Sequence, residues 1–261
     1  MSTSPAPEGA PDLPIRAAEL LDRLRAERVR VHAITNAAAQ VFTANLLLAA
    51  GGIPSLTVAP EEVASFTGRA GALLVNLGTL DSERRAGIPW AIATARAAKK
   101  PWVLDPVFVD ASPPRLELAR LCLTGGPAVV RCNAGEFAAL SGTEAKPEAV
   151  QAFAAAHGVV VALTGPVDIV TDGTTVFAIA NGHDLMTRVT AMGCAATALV
   201  AAFAALATTP AEAAAAALLV MGVAGELAAE TAAGPGSFQP ALLDALYWLD
   251  PDTLRSRSRL A

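Results

Sequence analysis

The chain of 261 residues is 53% hydrophobic and 16% charged, with a net charge of −5 at pH 7 and an isoelectric point near 5.2. That is enough apolar sequence for a sizeable core, and an acidic balance with no basic run argues against a nucleic-acid partner. The lysines, Lys99, Lys100 and Lys146, stand outside any GxxxxGK[ST] loop, so a Walker-type phosphate cradle is excluded.

Residues 1–14 are rich in Pro, Ser and Gly and lack the basic start and apolar centre of a signal peptide, so a disordered tail is expected there, followed by a single domain over 15–261. A helix is predicted over 15–27, then a β-branched strand from Val29 to Ile34 that ends in Thr35 and Asn36. Helical spacing from Ala37 to Ala50 stops at Gly51 and Gly52, a C-terminal signal. A second strand is expected from Ser55 to Val58 and a helix from Pro60.

Further strands are read at Ala72–Asn76, Trp102–Leu104, Ala128–Arg131 and Val159–Leu163, each closing on polar residues, among them Asp105, Asn133 and Thr164. Ile169 to Ala178, with a tight turn at Asp172 and Gly173, reads as a β-hairpin. From Thr208 onward the pattern is helical. Ala211 to Val223 is read as a buried helix, too short for a bilayer span of about 20 residues. Residues 234–238 are expected to be a loop feeding a short final helix, Pro240 to Leu249.

Apolar strands separated by helical segments predict an α/β fold of three layers, with a central mostly parallel sheet covered on both faces. Ligands of such sheets sit beyond the carboxyl ends of the strands. Asn36, Asn76, Asp105, Asn133, Glu136 and Thr164 would gather there.

Three cysteines, Cys122, Cys132 and Cys194, are odd in number and widely spaced. They fit free thiols in a reducing compartment, hence a cytoplasmic protein, and offer no zinc spacing. The chemistry-bearing stretch is Thr187 to Leu206, where a turn at Gly193 and Cys194 opens into an alanine-rich helix. The first N–H groups of a helix lack internal partners and its dipole leaves about half a positive charge there, so a Gly-containing entry suits an anion such as phosphate. The same field should lower the pKa of the Cys194 thiol. Cys194 is then open to a role as base, nucleophile or hydrogen-bond partner, and equally to that of a small buried residue at a helix start.

Eight segments taken together resemble the hydroxyethylthiazole kinases, a ribokinase-like family of thiamine salvage: VHAITN at 31–36, FTANLLLAAGGIPS at 42–55, NLGTL at 76–80, LDPV at 104–107, RCNAGE at 131–136, LTGPVDIVTDG at 163–173, NGHDLMTRVTAMGC at 181–194 and GPGSFQPALLDALY at 234–247. The resemblance covers nearly the whole chain. It implies transfer of the γ-phosphoryl group of ATP to the primary alcohol of 4-methyl-5-(2-hydroxyethyl)thiazole with Mg²⁺, in a homotrimer with active sites between subunits. It assigns Cys194 to the place of the base near the alcohol, and the Gly193 backbone to the substrate and the transferring phosphate. Asp105 and Glu136 match the carboxylates around Mg²⁺, Arg131 and Thr164 match ATP contacts, and Leu56 matches an apolar contact to the thiazole; Asn36 and Asn76 are open equally to a substrate-side place and to a turn role. His32 and His183 receive no catalytic role.

The chain departs from the family pattern at several of these places. Ala191 stands where a glycine usually precedes the anion-binding turn, Cys132 and Gly135 replace glycine and serine, and Pro166 replaces a glutamate. Phe108 and Asp110 replace small residues, which puts a further negative charge near the metal. A second reading is therefore a non-catalytic thiazole- or nucleotide-binding protein on the same scaffold, or a kinase for a related alcohol.

Overall fold

The computed structural model describes residues 12–261. The tail expected over 1–14 falls mostly outside these residues, and its last two, Leu13 and Pro14, already belong to a helix. The first half of the chain runs α1 (Leu13–Glu27), β1 (Arg30–Ile34), α2 (Gln40–Ala49), β2 (Ile53–Ser55), α3 (Pro60–Arg69), β3 (Ala72–Asn76), α4 (Ser82–Ala97) and β4 (Trp102–Asp105). Then come α5 (Pro113–Thr124), β5 (Val129–Asn133), α6 (Ala134–Ser141), α7 (Pro147–His157), β6 (Val160–Thr164), β7 (Asp168–Thr171) and β8 (Val176–Ile179). A 3₁₀ turn at Asp184–Arg188 leads into α8 (Met192–Ala204), α9 (Pro210–Thr231), α10 (Pro235–Trp248) and α11 (Pro251–Arg257).

All eight strands form one sheet in the order β2-β1-β3-β4-β5-β6-β7-β8. Pairing is parallel from β2 to β6 and antiparallel from β6 through β8. Side chains alternate across each strand, so a β3 run of five buried residues feeds two cores. Leu74 belongs to the core that α1, α2, α8, α9 and α10 help to form, while Leu73 and Val75 belong to the one that α4, α5, α6 and α7 cover. The α/β three-layer expectation is met.

Three local readings need correction. The edge strand is Ile53–Ser55 rather than Ser55–Val58: its pairing with β1 ends at His32 and Ser55, and the β-branched Thr57 and Val58 leave the sheet while β1 runs on to Ile34 beside β3. The expected loop at 234–238 is mostly helix. Pro235 starts α10 and Pro240 lies inside it, since proline is already set for a first helical turn. A further short helix, α11, follows. Finally, α9 is 22 residues long and is the one helix among the described residues long and apolar enough to cross a bilayer; 89% of its apolar window is buried inside the protein.

The connection after β1 leads to β2 on one side, and that after β3 leads to β4 on the other. The crevice between the carboxyl ends of β1 and β3 is therefore the topological switch point, where open α/β sheets bind ligands.

Candidate active site

Two asparagines bridge that crevice. Asn36, just past β1, donates from Nδ2 to Asn76 Oδ1 at the end of β3, at 3.1 Å, and to Cys194 Sγ in the first turn of α8, at 3.2 Å. Gly78 makes this contact possible, because a Cβ there would lie 2.6 Å from the Cβ of Asn36. Asn76 passes the network on, donating from Nδ2 to Asp105 Oδ2 at 2.7 Å, its cross-strand neighbour. Thr197, one turn into α8, also reaches Asp105 Oδ2, at 3.0 Å, and lies 2.9 Å from the Gly193 carbonyl.

Asp105 is fully buried, and burial raises its pKa against the opposing pull of Arg131, Asn76 and Thr197. Its second oxygen, Oδ1, has no hydrogen-bond partner among the described residues. Glu136 is the N3 member of a capping box with Asn133. Its Oε2 accepts the Asn133 N–H at 2.9 Å and its Oε1 the Phe108 N–H at 3.1 Å. Burial is the largest cause of its raised pKa, and the nearby Asp105 charge adds to it. Two buried carboxylates within each other's field, one with a free oxygen, form a donor set that suits a small hard cation, which binds through few protein oxygens and keeps waters. Among the described residues no group of three or more His, Cys, Asp or Glu side chains has metal-holding geometry.

The other side of the α8 entrance is a cleft of about 580 Å³, lined by Arg131, Thr164, Gly165, Asp168 and Gly193 on its polar wall and by Met186, Met192, Leu218 and Met221 on its apolar one. The Arg131 guanidinium lies against the Gly193 backbone, and a Cβ at 193 would sit 2.6 Å from Nη1. Arg131 Nε is buried without a hydrogen-bond partner among the described residues. The residue also takes no part in their ion pairs. No side chain caps the start of α8, so its leading N–H groups also lack a side-chain partner.

Ala191, the residue before α8, has φ 66°. This is the left-handed region that a glycine adopts without strain; the turn forms with alanine all the same. Pro166 lines the cleft, and Cys132 points into the second core, fully buried. Asp110 stands at the start of α6, where a Cβ on Gly135 would be 3.3 Å from its Oδ2.

The expectation of a lowered Cys194 pKa is overturned. Burial and the Asp105 charge push it up to about 11, outweighing the hydrogen bonds from Asn76 and Asn36 and the Arg131 charge. The helix field is real, but desolvation disfavours the thiolate more strongly.

The sequence-derived residues thus fall into two groups joined at α8. Asn36, Asp105 and Cys194 share one hydrogen-bond network, with Glu136 in the field of Asp105. Arg131, Thr164 and Gly193 line the cleft. Leu56 follows β2, half-buried against the core, and does not line that cleft. Two participants escaped the sequence reading. Thr197 lies four residues after Gly193, a spacing that places both on one helix face. Asp168 accepts the Gly165 N–H at 2.9 Å, and burial raises its pKa to about 6; its signal was a carboxylate three residues beyond a strand-end glycine.

A mostly parallel eight-stranded sheet flanked by helices, with an antiparallel edge hairpin, is the ribokinase-like fold. A ribokinase-like superfamily protein from Enterococcus faecalis shares this fold, with a TM-score of 0.66 at 16% identity over 94% of this chain and 90% of that one. The family model of the hydroxyethylthiazole kinases matches residues 21–252. Hydroxyethylthiazole kinase of Granulibacter bethesdensis is 49% identical over 257 residues, covering 94% of each chain. The hydroxyethylthiazole kinase protein from Pyrococcus horikoshii has a TM-score of 0.90 at 39% identity, over 94% of this chain and 98% of that one. The chain belongs to the hydroxyethylthiazole kinase family and is a phosphotransferase.

Proposed function

We propose that this chain transfers the γ-phosphoryl group of ATP to the primary alcohol of 4-methyl-5-(2-hydroxyethyl)thiazole, with the nucleotide in the 580 Å³ cleft and the alcohol beside Asn36 and Cys194. The observation that carries this reading is the Arg131 guanidinium held without an ion-pair partner against Gly193, where a helix start faces the cleft. A half-buried arginine beside a helix start that no side chain caps is suited to an anion that arrives with the substrate.

Phosphoryl transfer runs through a loose transition state that needs alignment and charge neutralisation more than a strong base. The residues fit that demand. Arg131 and the Gly193 N–H face the transferring group, and Thr164 closes the cleft beside them. Cys194 keeps its proton at neutral pH, so its role is that of a neutral hydrogen-bonding neighbour of the alcohol, fixed in place by Asn36. Asp105 and Glu136 would hold Mg²⁺ and its waters, Asp105 through the free Oδ1. Held there, such a cation would supply neutralisation of the charge carried by the phosphate groups.

Leu56 is assigned to the thiazole ring from a neighbouring copy in a homotrimer. The exposed apolar Val41 and Leu48 on α2, the helix that follows Asn36, support such a contact. The free thiols Cys122, Cys132 and Cys194 fit work in the cytoplasm. The decisive experiment measures ADP release from Mg-ATP with and without the thiazole alcohol. Alcohol-dependent release that falls sharply in Arg131→Ala supports the reading. Release independent of the alcohol, or none while both ligands bind, overturns it in favour of another acceptor or a binding protein.

A further inference from the structure

Ala180 to His183 follow β8 and form one wall of the cleft. Their polar groups are held from behind rather than by the hairpin. The Ala180 N–H donates to the Arg259 carbonyl at 2.9 Å. Arg259 returns a guanidinium bond to the Ala180 carbonyl, also at 2.9 Å. Asn181 is gripped at both ends of its amide, its Nδ2 donating to the Arg257 carbonyl at 2.8 Å and its Oδ1 accepting the Arg259 N–H at 2.7 Å.

The hub of this support is Glu226 on α9. Its Oε1 accepts from the Gly182 N–H at 2.7 Å, from Asn181 Nδ2 at 3.1 Å and from Arg259 Nη2 at 2.7 Å. Its Oε2 accepts from Arg259 Nη1 at 3.1 Å. Gly222, one turn earlier on α9, lets the Asn181 backbone touch the helix, since a Cβ there would meet the Asn181 carbonyl oxygen at 2.6 Å. Neither Glu226 nor Arg259 lines the cleft; both line a smaller cavity of about 370 Å³ that shares the residues Gly182 and His183 with it.

We infer that Glu226 and Arg259 are positioning residues for nucleotide binding, acting through the Ala180–His183 wall, an assignment that rests on the cleft being the nucleotide site. The bidentate pair carries charge-assisted bonds that fix direction as well as distance, and it fixes the wall's backbone by bonding its N–H and C=O groups. Loss of the pair frees the wall to move and leaves the Asn36–Cys194 contact, which neither Glu226, Arg259 nor the wall takes part in, as it was. The effect should fall on nucleotide affinity alone.

The test compares wild type with Arg259→Ala, Arg259→Lys and Glu226→Gln. The Arg259 side chain is half exposed, so its loss opens no core, and circular dichroism checks folding of each variant. Expected for Arg259→Ala is a rise in KM for ATP of about five- to tenfold and a matching rise in the Kd of ADP by calorimetry. KM for the alcohol should stay within about twofold, with Arg259→Lys intermediate because it keeps the charge and loses the fork. A folded Arg259→Ala protein with unchanged ADP affinity, or with both KM values raised alike, overturns the positioning role. A wild-type protein that binds the alcohol but neither ADP nor ATP overturns the nucleotide assignment of the cleft, and the positioning role with it.

Discussion

The Arg131 guanidinium fills the space that a side chain on Gly193 would need, with Nη1 and Nη2 at 2.6 Å and 2.9 Å from a Cβ at that residue. The glycine is therefore required by a neighbour 62 positions away in sequence. Gly193→Ala is expected to displace the guanidinium and lower ADP affinity by about tenfold, while Arg131→Ala lowers kcat/KM by roughly 10²–10³-fold, as for loss of a preorganised transition-state donor. Calorimetry and steady-state kinetics check the two. Unchanged ADP binding in Gly193→Ala would show that the guanidinium can work from elsewhere.

Ala191 sits at φ 66°, a conformation that costs an L-residue roughly 1–2 kcal/mol relative to glycine. Ala191→Gly removes that cost but frees the unfolded chain, which offsets about 0.4–1 kcal/mol. The expected net effect is a gain between zero and about 1.6 kcal/mol, at roughly 2–4 °C in melting temperature per kcal/mol. Differential scanning calorimetry decides it; a lower melting temperature would mean the Ala191 Cβ contributes packing that outweighs the strain.

Cys194, with its pKa pushed up to about 11, should react with iodoacetamide at pH 7.5 about a hundredfold more slowly than an unperturbed thiol, since the thiolate is the nucleophile. The pH profile of kcat between 6 and 9 should show no step that Cys194→Ser removes. Fast alkylation or such a step would restore the thiolate base.

His32 on β1 is fully buried, its Nδ1 3.1 Å from Ser55 Oγ, and burial lowers its pKa to about 4. The unfolded chain, with a histidine pKa near 6.5, binds the proton more readily, so stability is full above about pH 6.5 and is lost as pH falls toward 4. The loss approaches about 3 kcal/mol at the acid end, with the product of shift and 1.36 kcal/mol per unit as its ceiling. The raised carboxylates Asp105, Glu136 and Asp168 act in the opposite sense, so the difference between wild type and His32→Gln isolates the histidine. Urea midpoints that run parallel from pH 7 to pH 4.5 would refute the prediction.

Much of the sheet was legible because a strand buried on both faces has to be apolar throughout. Ala72–Asn76 and Trp102–Asp105 carry that mark, and a polar residue ends each. The edge strand was misread because Ile53–Ser55 is defined by where its chain parts from β1, after the His32–Ser55 pair, information that the β-branched residues Thr57 and Val58 do not contain. At the site, the Gly193 entrance and the strand-end polar residues could be read locally. The Cys194 pKa could not, since the Asp105 charge and the burial that set it come from segments far along the chain. Nor could the contact of Arg131 with Gly193, which exists only once β5 and α8 are side by side. Arg84 was invisible for the same reason: buried against β1, it pairs with Asp81 and donates from Nε to the Thr35 carbonyl at 2.8 Å, bracing the residue before Asn36.

The order of strands in the sheet carries one more consequence. The Asn36–Asn76–Asp105 network is built from the ends of β1, β3 and β4, all before residue 106, and the cleft from β5 onward, with the first turns of α8 joining the two among the described residues. On the proposed function, specificity for the alcohol and handling of the nucleotide would then be written largely in separate halves of the chain. A lineage, or an engineer, can recast the first half to admit a different hydroxyl compound and keep the second intact, provided the α8 entrance between Ala191 and Thr197 still fits both.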